Sequence, residues 1–115
     1  MTWTRVTTLD DLTVGRAIRV DIGELPLCVV RLDERTVKVV HDICSHQEEE
    51  LHEGWVDGNA IECPAHGSTF DLDTGDPQAL PAVKPVPTYP VQIDAAGTVY
   101  VDPEQQLNDA PVPKH

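Results

Sequence analysis

Two short stretches of this 115-residue chain each place a cysteine near a histidine, and they constrain the fold more than any other feature. Cys44 is followed two positions later by His46, and Cys63 is followed three positions later by His66. Residues 47–62 lie between the pairs, which is room for a loop to end and for two short strands to run out and back. Loops that met tip to tip would gather two thiolates and two imidazoles, a donor set that suits zinc, copper or iron.

Three kinds of site could use these residues. A structural zinc site is common with two cysteine and two histidine ligands, but the single residue between Cys44 and His46 is shorter than the usual spacing of paired zinc ligands. A nucleophilic cysteine activated by a histidine would leave the second pair unexplained. A [2Fe–2S] cluster in which two histidines replace two cysteines on one iron uses both pairs.

The composition predicts one domain with a modest core built mainly from Val, Ile and Leu, because aromatic residues make up only 4% of the chain. The formal net charge is -12. Such an acidic chain should not bind nucleic acid, which needs Lys and Arg, and should not adhere to an anionic membrane. The charge instead favours partners with basic surfaces.

The sequence also predicts where the protein works. No basic stretch is followed by an apolar run at the N-terminus, and no segment approaches the length of a membrane span. If Cys44 and Cys63 bind metal, only Cys28 is left and no disulfide framework can form. We therefore expect a soluble, cytoplasmic monomer in a reducing compartment.

Short apolar runs between turn residues predict an all-β fold with a single helical turn near residues 8–12. Strands are expected at 3–6, 15–22, 25–32, 36–40, 54–56, 60–62, 89–93 and 98–101. The turn at Asp57-Gly58-Asn59 should make a hairpin, so both metal-binding loops belong to one excursion at about residues 41–70. We expect one domain over residues 1–102 and a polar, flexible tail at 103–115.

Residues outside the cysteine and histidine pairs receive structural interpretations. Cys28 lies in an apolar strand and should be buried as a small hydrophobic residue. His41 ends a strand and should be structural, although a hydrogen bond near the metal site stays open. His52 should be exposed, Trp55 should belong to the hairpin core, and residues 47–50 are either a solvated loop or part of a docking face.

The pattern C-x-H followed by C-x-x-H-G resembles the Rieske [2Fe–2S] family over about residues 3–102. The resemblance implies an all-β, Rieske-like antiparallel β-sandwich or barrel with a small cluster-binding subdomain. It also implies one [2Fe–2S] cluster, with Cys44 and Cys63 on one iron and His46 and His66 on the other through Nδ1. Further positions match the family around the motif, namely Leu51, Gly54, Gly67, Phe70, Asp71, Gly75 and the proline-containing segment through Tyr89.

Two departures from the high-potential members of this family refine the resemblance. Those members carry an additional cysteine in each loop and join the two in a disulfide, where this chain has Glu49 and Ala65. They also carry a Tyr that hydrogen-bonds the cluster together with a Ser, where this chain keeps Ser68 but has Phe70. Fewer donors to the cluster imply a reduction potential toward the low end of the family range.

These features are similar to the ferredoxins of bacterial ring-hydroxylating dioxygenases, which serve aromatic hydrocarbon catabolism. The resemblance implies a soluble one-electron carrier, not an enzyme by itself, between an FAD-containing, NAD(P)H-dependent reductase and a terminal non-haem iron oxygenase. No second set of iron ligands and no Gly-rich phosphate loop are found, so the chain should be neither the oxygenase nor the reductase. The alternatives are a small subunit of a nitrite-reductase-like complex and a zinc-stabilised interaction domain.

Overall fold

The computed structural model describes residues 2–44, 49–64, 68–78 and 84–110, and regular structure in these ranges is almost entirely β. Two single turns of 3-10 helix interrupt it, η1 (Leu9–Asp11) and η2 (Leu51–Glu53). The predicted all-β fold is confirmed. The described ranges contain ten strands, which are β1 (Thr4–Thr8), β2 (Arg16–Ile22), β3 (Leu25–Arg31), β4 (Val37–His41), β5 (Trp55–Asp57), β6 (Ala60–Glu62), β7 (Thr69–Asp71), β8 (Thr88–Tyr89), β9 (Val91–Ile93) and β10 (Thr98–Val101).

The strands form three sheets in which every strand pair is antiparallel. The largest sheet has the order β2-β3-β4-β8, so three strands that follow one another in the chain are neighbours in space. A second sheet has the order β1-β10-β9 and pairs the first strand of the chain with the last. The third, β5-β6-β7, is the predicted excursion.

Strand β3 is the centre of the fold because both of its faces are buried. Successive side chains of a strand point to opposite faces. Accordingly, Cys28 and Val30 belong to a first core that also takes in residues of β6 and β7, whereas Leu27 and Val29 belong to a second core shared with β10. The four-stranded sheet therefore separates two cores, and this explains why its central strand is a continuous apolar run instead of an alternating one.

Pro90 divides what the sequence predicted as one strand at 89–93. The residues before it form β8 and pair with β4 in the four-stranded sheet. The residues after it form β9 and pair with β10 in the terminal sheet. Proline has no N–H to donate to a ladder, so it stands where the chain leaves one sheet for the other.

The small sheet contains the predicted hairpin and adds β7, which was not among the predicted strands. The β5 and β6 strands form a hairpin, and Gly58 supplies the left-handed backbone of its turn with a φ of +59°. Trp55, however, is 59% exposed. Its expected place in the hairpin core is wrong, because β5 is an edge strand and Trp55 lies on its exposed side.

The first part of the C-terminal tail is tied to the fold. The backbone N–H of Leu107 donates to the Thr88 carbonyl at 2.8 Å, and the Asn108 amide donates to the carbonyls of Thr74 and Val86, each at 2.9 Å. Ala110 is buried, so residues 103–110 of the predicted flexible tail are held against the fold. The rest of that predicted tail, residues 111–115, lies outside the described residues. Within the described ranges, no helix is long and apolar enough to cross a membrane.

Candidate metal centre

Cys44 and Cys63 lie in the first core, where the predicted site should be. Cys44 stands three residues after the end of β4, and Cys63 directly follows β6. They are 2% and 1% exposed, and both pack in the same cluster of buried residues. The structure thus brings together the two predicted ligands that come from opposite ends of the excursion.

The two cysteines begin loops that are closed in the same way. The backbone N–H of Cys44 donates to the carbonyl of Glu49 at 2.9 Å, and that of Cys63 donates to the carbonyl of Ser68 at 2.7 Å. Each hydrogen bond joins residues five positions apart. We call residues 44–49 the first cysteine loop and residues 63–68 the second cysteine loop.

The two predicted histidine ligands belong to these loops by sequence. His46 falls within the first cysteine loop and His66 within the second, and both lie outside the described residues. The same holds for Ala65, one of the two positions at which the inter-loop disulfide is missing. The ligand set of two cysteines and two histidines therefore stays a prediction.

A short antiparallel stem leads into the first cysteine loop. It consists of residues 42–44 facing residues 49–52, and we call it the stem. Its connections are a hydrogen bond from the Leu51 N–H to the Asp42 carbonyl at 2.6 Å, a β-bridge between Ile43 and Glu50, and the loop-closing bond of Cys44. These connections fix the backbone position of Cys44 relative to the end of β4.

A side-chain pair closes the stem at its base. Asp42 is completely buried, and its carboxylate accepts hydrogen bonds from the backbone N–H of His52 at 2.8 Å and lies 2.7 Å from His52 Nδ1. Burial raises the pKa of the Asp42 carboxyl, while the hydrogen bonds from His52 act against that shift. The expected exposure of His52 is wrong, because its ring is held against a buried carboxylate and only 23% of the side chain is accessible.

The outer side of the stem is held from β2. Arg19 forms ion pairs with Glu50 of the stem and with Asp21 of its own strand. The hydrogen bond that the Arg19 guanidinium donates to the Asp21 carboxylate raises the pKa of Arg19. Glu49 and Glu50, the described part of the acidic run, are half-buried, so they are less available for docking than a solvated loop would be.

Fully buried apolar side chains keep water away from the two cysteines. Leu51, Ile61 and Phe70 have no exposed surface and pack in the same cluster as both sulfurs. Phe70 has no hydroxyl to donate to a cluster. The low reduction potential inferred from its sequence therefore stays a prediction. Ser68 is buried beside it.

The described residues fit a group that requires thiolate ligands in a dry pocket. None of the cysteines forms a disulfide. Burial, together with the nearby Asp42 carboxylate, raises the pKa of the Cys28 thiol well above its usual range, so Cys28 remains a neutral core residue as predicted. Cys44 and Cys63 instead begin matched loops, which is the arrangement that two ligands of one centre need.

Asp42 was not predicted as a functional residue, and its contact with His52 was not predicted either. A signal was present, because Asp42 is the one acidic residue in the run from Val39 to Cys44, which is apolar apart from Asp42 and His41. A carboxylate in such a run must find hydrogen-bond donors when the run is buried. The identity of the donor could not be predicted, since it depends on how the stem returns.

The Rieske [2Fe-2S] domain family matches residues 2–90. Ferredoxin CarAc of Metapseudomonas resinovorans is 35% identical over 105 residues, which cover 90% of this chain and 96% of that protein.

Two solved structures show the same fold. A chain in the complex of reduced oxygenase and oxidized ferredoxin in carbazole 1,9a-dioxygenase superposes with a TM-score of 0.83 at 36% identity, over 91% of this chain and 96% of that one. A putative NADH-dependent nitrite reductase small subunit from Mycobacterium tuberculosis superposes with a TM-score of 0.78 at 25% identity, over 98% of this chain and 97% of that one.

Proposed function

The chain belongs to the Rieske [2Fe–2S] family, and from this premise we propose that its cluster is held by Cys44, His46, Cys63 and His66. Cys44 and Cys63 would bind one iron, and His46 and His66 the other. Support comes from the burial of the two cysteines in one core and from the matched closure of the loops that they begin. When bound, the cluster supplies reversible one-electron chemistry.

The protein is an electron-transfer component rather than a catalyst. We propose that it passes single electrons from an FAD-containing, NAD(P)H-dependent reductase to the terminal oxygenase of a ring-hydroxylating dioxygenase. The observation that carries this proposal is the similarity, along nearly the whole chain, to the ferredoxin that was solved in complex with its oxygenase.

The residues of this chain position the two cysteines and surround them with buried apolar side chains. The stem carries Cys44 and the β5–β6 hairpin leads into Cys63, while the buried side chains of Leu51, Ile61 and Phe70 pack in the same core as both cysteines. Backbone that is fixed before an electron arrives needs little rearrangement afterwards. Such a rigid support suits a carrier that must accept and release electrons quickly.

Reduction of the purified protein tests the proposal. We expect a red-brown protein that takes up one electron and then shows an EPR signal of low average g, typical of mixed histidine and cysteine ligation. With the reductase and oxygenase of a carbazole 1,9a-dioxygenase as surrogate partners, NADH-dependent oxygen uptake should require this chain. A colourless protein with stoichiometric zinc would show instead that the pairs form a structural metal site.

The acidic surface should steer the encounter with the reductase. With a net charge of -12, the rate of cluster reduction by that surrogate reductase should fall about threefold to tenfold as the salt concentration rises from low to high values. Stopped-flow absorbance of the cluster measures this rate.

Two exposed carboxylates provide a matched comparison. Glu53 directly follows the stem, whereas Asp10 lies on η1, beside the second core on the other side of the four-stranded sheet. Glu53→Gln should slow reduction at low salt and Asp10→Asn should not. If the rate of cluster reduction changes neither with salt nor with these substitutions, the acidic surface serves solubility alone.

The similarity to the nitrite reductase small subunit keeps a second function in view. Its identity and TM-score are lower than those of the carbazole dioxygenase ferredoxin, and the dioxygenase role therefore comes first. A stable complex with a large sirohaem subunit on gel filtration would reverse this order. We also propose a cytoplasmic monomer, since cysteines without a disulfide suit a reducing compartment.

A further inference from the structure

We propose that Asp42 and His52 form a positioning pair that fixes the first cysteine loop and thereby determines how Cys44 is presented to the cluster. This inference rests on the proposed ligand role of Cys44. The pair is hydrogen-bonded to the backbone of the stem. It acts through the backbone that carries Cys44 and the residues following it.

Asp42 is hydrogen-bonded through its backbone N–H, its backbone carbonyl and its carboxylate. Its backbone N–H donates to the Pro26 carbonyl of β3 at 3.0 Å, and its own carbonyl accepts from Leu51 at 2.6 Å. Its carboxylate takes both the backbone N–H and the ring Nδ1 of His52, one on each oxygen. These hydrogen bonds therefore connect the two strands of the stem, residues 42–44 and 49–52, two positions before Cys44.

The pairs above this base form a continuous ladder. Ile43 bridges to Glu50, and Cys44 bonds to Glu49, so each step toward the loop tip depends on the step below it. Movement of His52 away from Asp42 would loosen this ladder at its base. The ion pair of Glu50 with Arg19 holds only the solvent side of the stem.

The choice of a buried carboxylate also argues for a positioning role. A fully buried charged or polar group costs free energy even when it is hydrogen-bonded, and an apolar pair of similar volume would often be as stable or more so. What the carboxylate adds is direction, because its two oxygens accept from two defined donors of one residue. Partners of this kind, one layer behind the ligands of a metal centre, typically change metal affinity about 10- to 100-fold when removed.

Two substitutions of the largely buried His52 separate the effect of its directed hydrogen bond from the effect of its bulk. Asn can place its amide N–H where His52 Nδ1 donates, whereas Leu fills a similar space and donates nothing. His52→Leu should release iron to the chelator bathophenanthroline disulfonate about tenfold faster than the unaltered protein, and its EPR g values should shift. His52→Asn should restore both, with release within about threefold of the unaltered protein.

Lys38→Leu is the matched control, because it removes an ion pair, Lys38 with Asp73 at 2.6 Å, that lies away from the stem. It should change neither the release rate nor the EPR spectrum. The proposal is overturned if His52→Leu lowers only the melting temperature and leaves both cluster readouts unchanged. If that variant does not fold, Asp42→Asn replaces it, and an unaltered cluster there would equally overturn the idea.

These outcomes are distinct from failure of the proposed function. If the unaltered protein holds no iron and shows no mixed-ligand EPR signal, the proposed function fails and the release rates have no meaning. If the unaltered protein is a normal Rieske protein and the His52 variants match it, only the positioning pair is refuted.

Discussion

Replacing Cys63 by serine is expected to abolish the cluster, and replacing Cys44 by serine should do the same. A serine hydroxyl is not deprotonated near neutral pH and cannot supply the thiolate that iron in such a cluster requires. Both positions are buried, so water or buffer cannot substitute for the lost ligand. Iron content should fall from about two atoms per chain to nearly none, together with the visible absorption and the EPR signal.

Cys28→Ala is the control that this chain offers. Cys28 lies in the same core as the other two cysteines and is equally buried, but it begins no loop. This variant removes the side-chain contact of Cys28 with Asp42 but no proposed ligand, so it should keep its full iron content and its visible absorption. His46→Ala and His66→Ala should destroy the normal spectrum as well, and a spectrum that survived either change would remove that histidine from the ligand set.

Gly54→Ala should have the second-largest effect, because the excursion is closed by a backbone contact that leaves no room for a side chain. A Cβ at Gly54 would overlap the carbonyl group of Glu62, directly before Cys63. The φ of -85° is ordinary for any residue, so the problem is space and not backbone strain. Forcing the two segments apart should cost on the order of 3 kcal/mol.

We expect this cost to lower the melting temperature by roughly 10 °C or more and to reduce the cluster content of the purified protein. Circular dichroism at one fixed heating rate measures the first, and iron analysis the second. Gly58→Ala is the matched control, since Gly58 has open space around its Cα and a φ of +59°. It should lose only about 1 kcal/mol and keep its cluster. Equal melting temperatures for both variants would contradict the argument from crowding.

Much of this fold could be predicted from local sequence. Strands of half-buried sheets carry their own period, and Gly58 marks a hairpin turn by its residue type alone. The excursion was predictable for the same reason, since the cysteine pairs lie at the two ends of a hairpin. The family resemblance then supplied the cluster type, which the donor atoms alone left open between iron and zinc.

The misplaced residues share a physical cause, which is contact between segments distant in sequence. Trp55 looks like a core residue until the sheet order places β5 at an edge. His52 looks solvated until the stem folds back and sets it against Asp42. Pro90 was predicted as part of a strand, and only the pairing of β8 and β9 with different sheets shows that it separates them.

The two cores on opposite faces of the four-stranded sheet have a consequence for how the holoprotein is made. Both cysteines belong to one core, while the sheet of β1, β10 and β9 packs in the other. We expect the second core to form without iron, so that only the first core is incomplete in the iron-free chain. Cofactor insertion would then complete a folding reaction that is already under way.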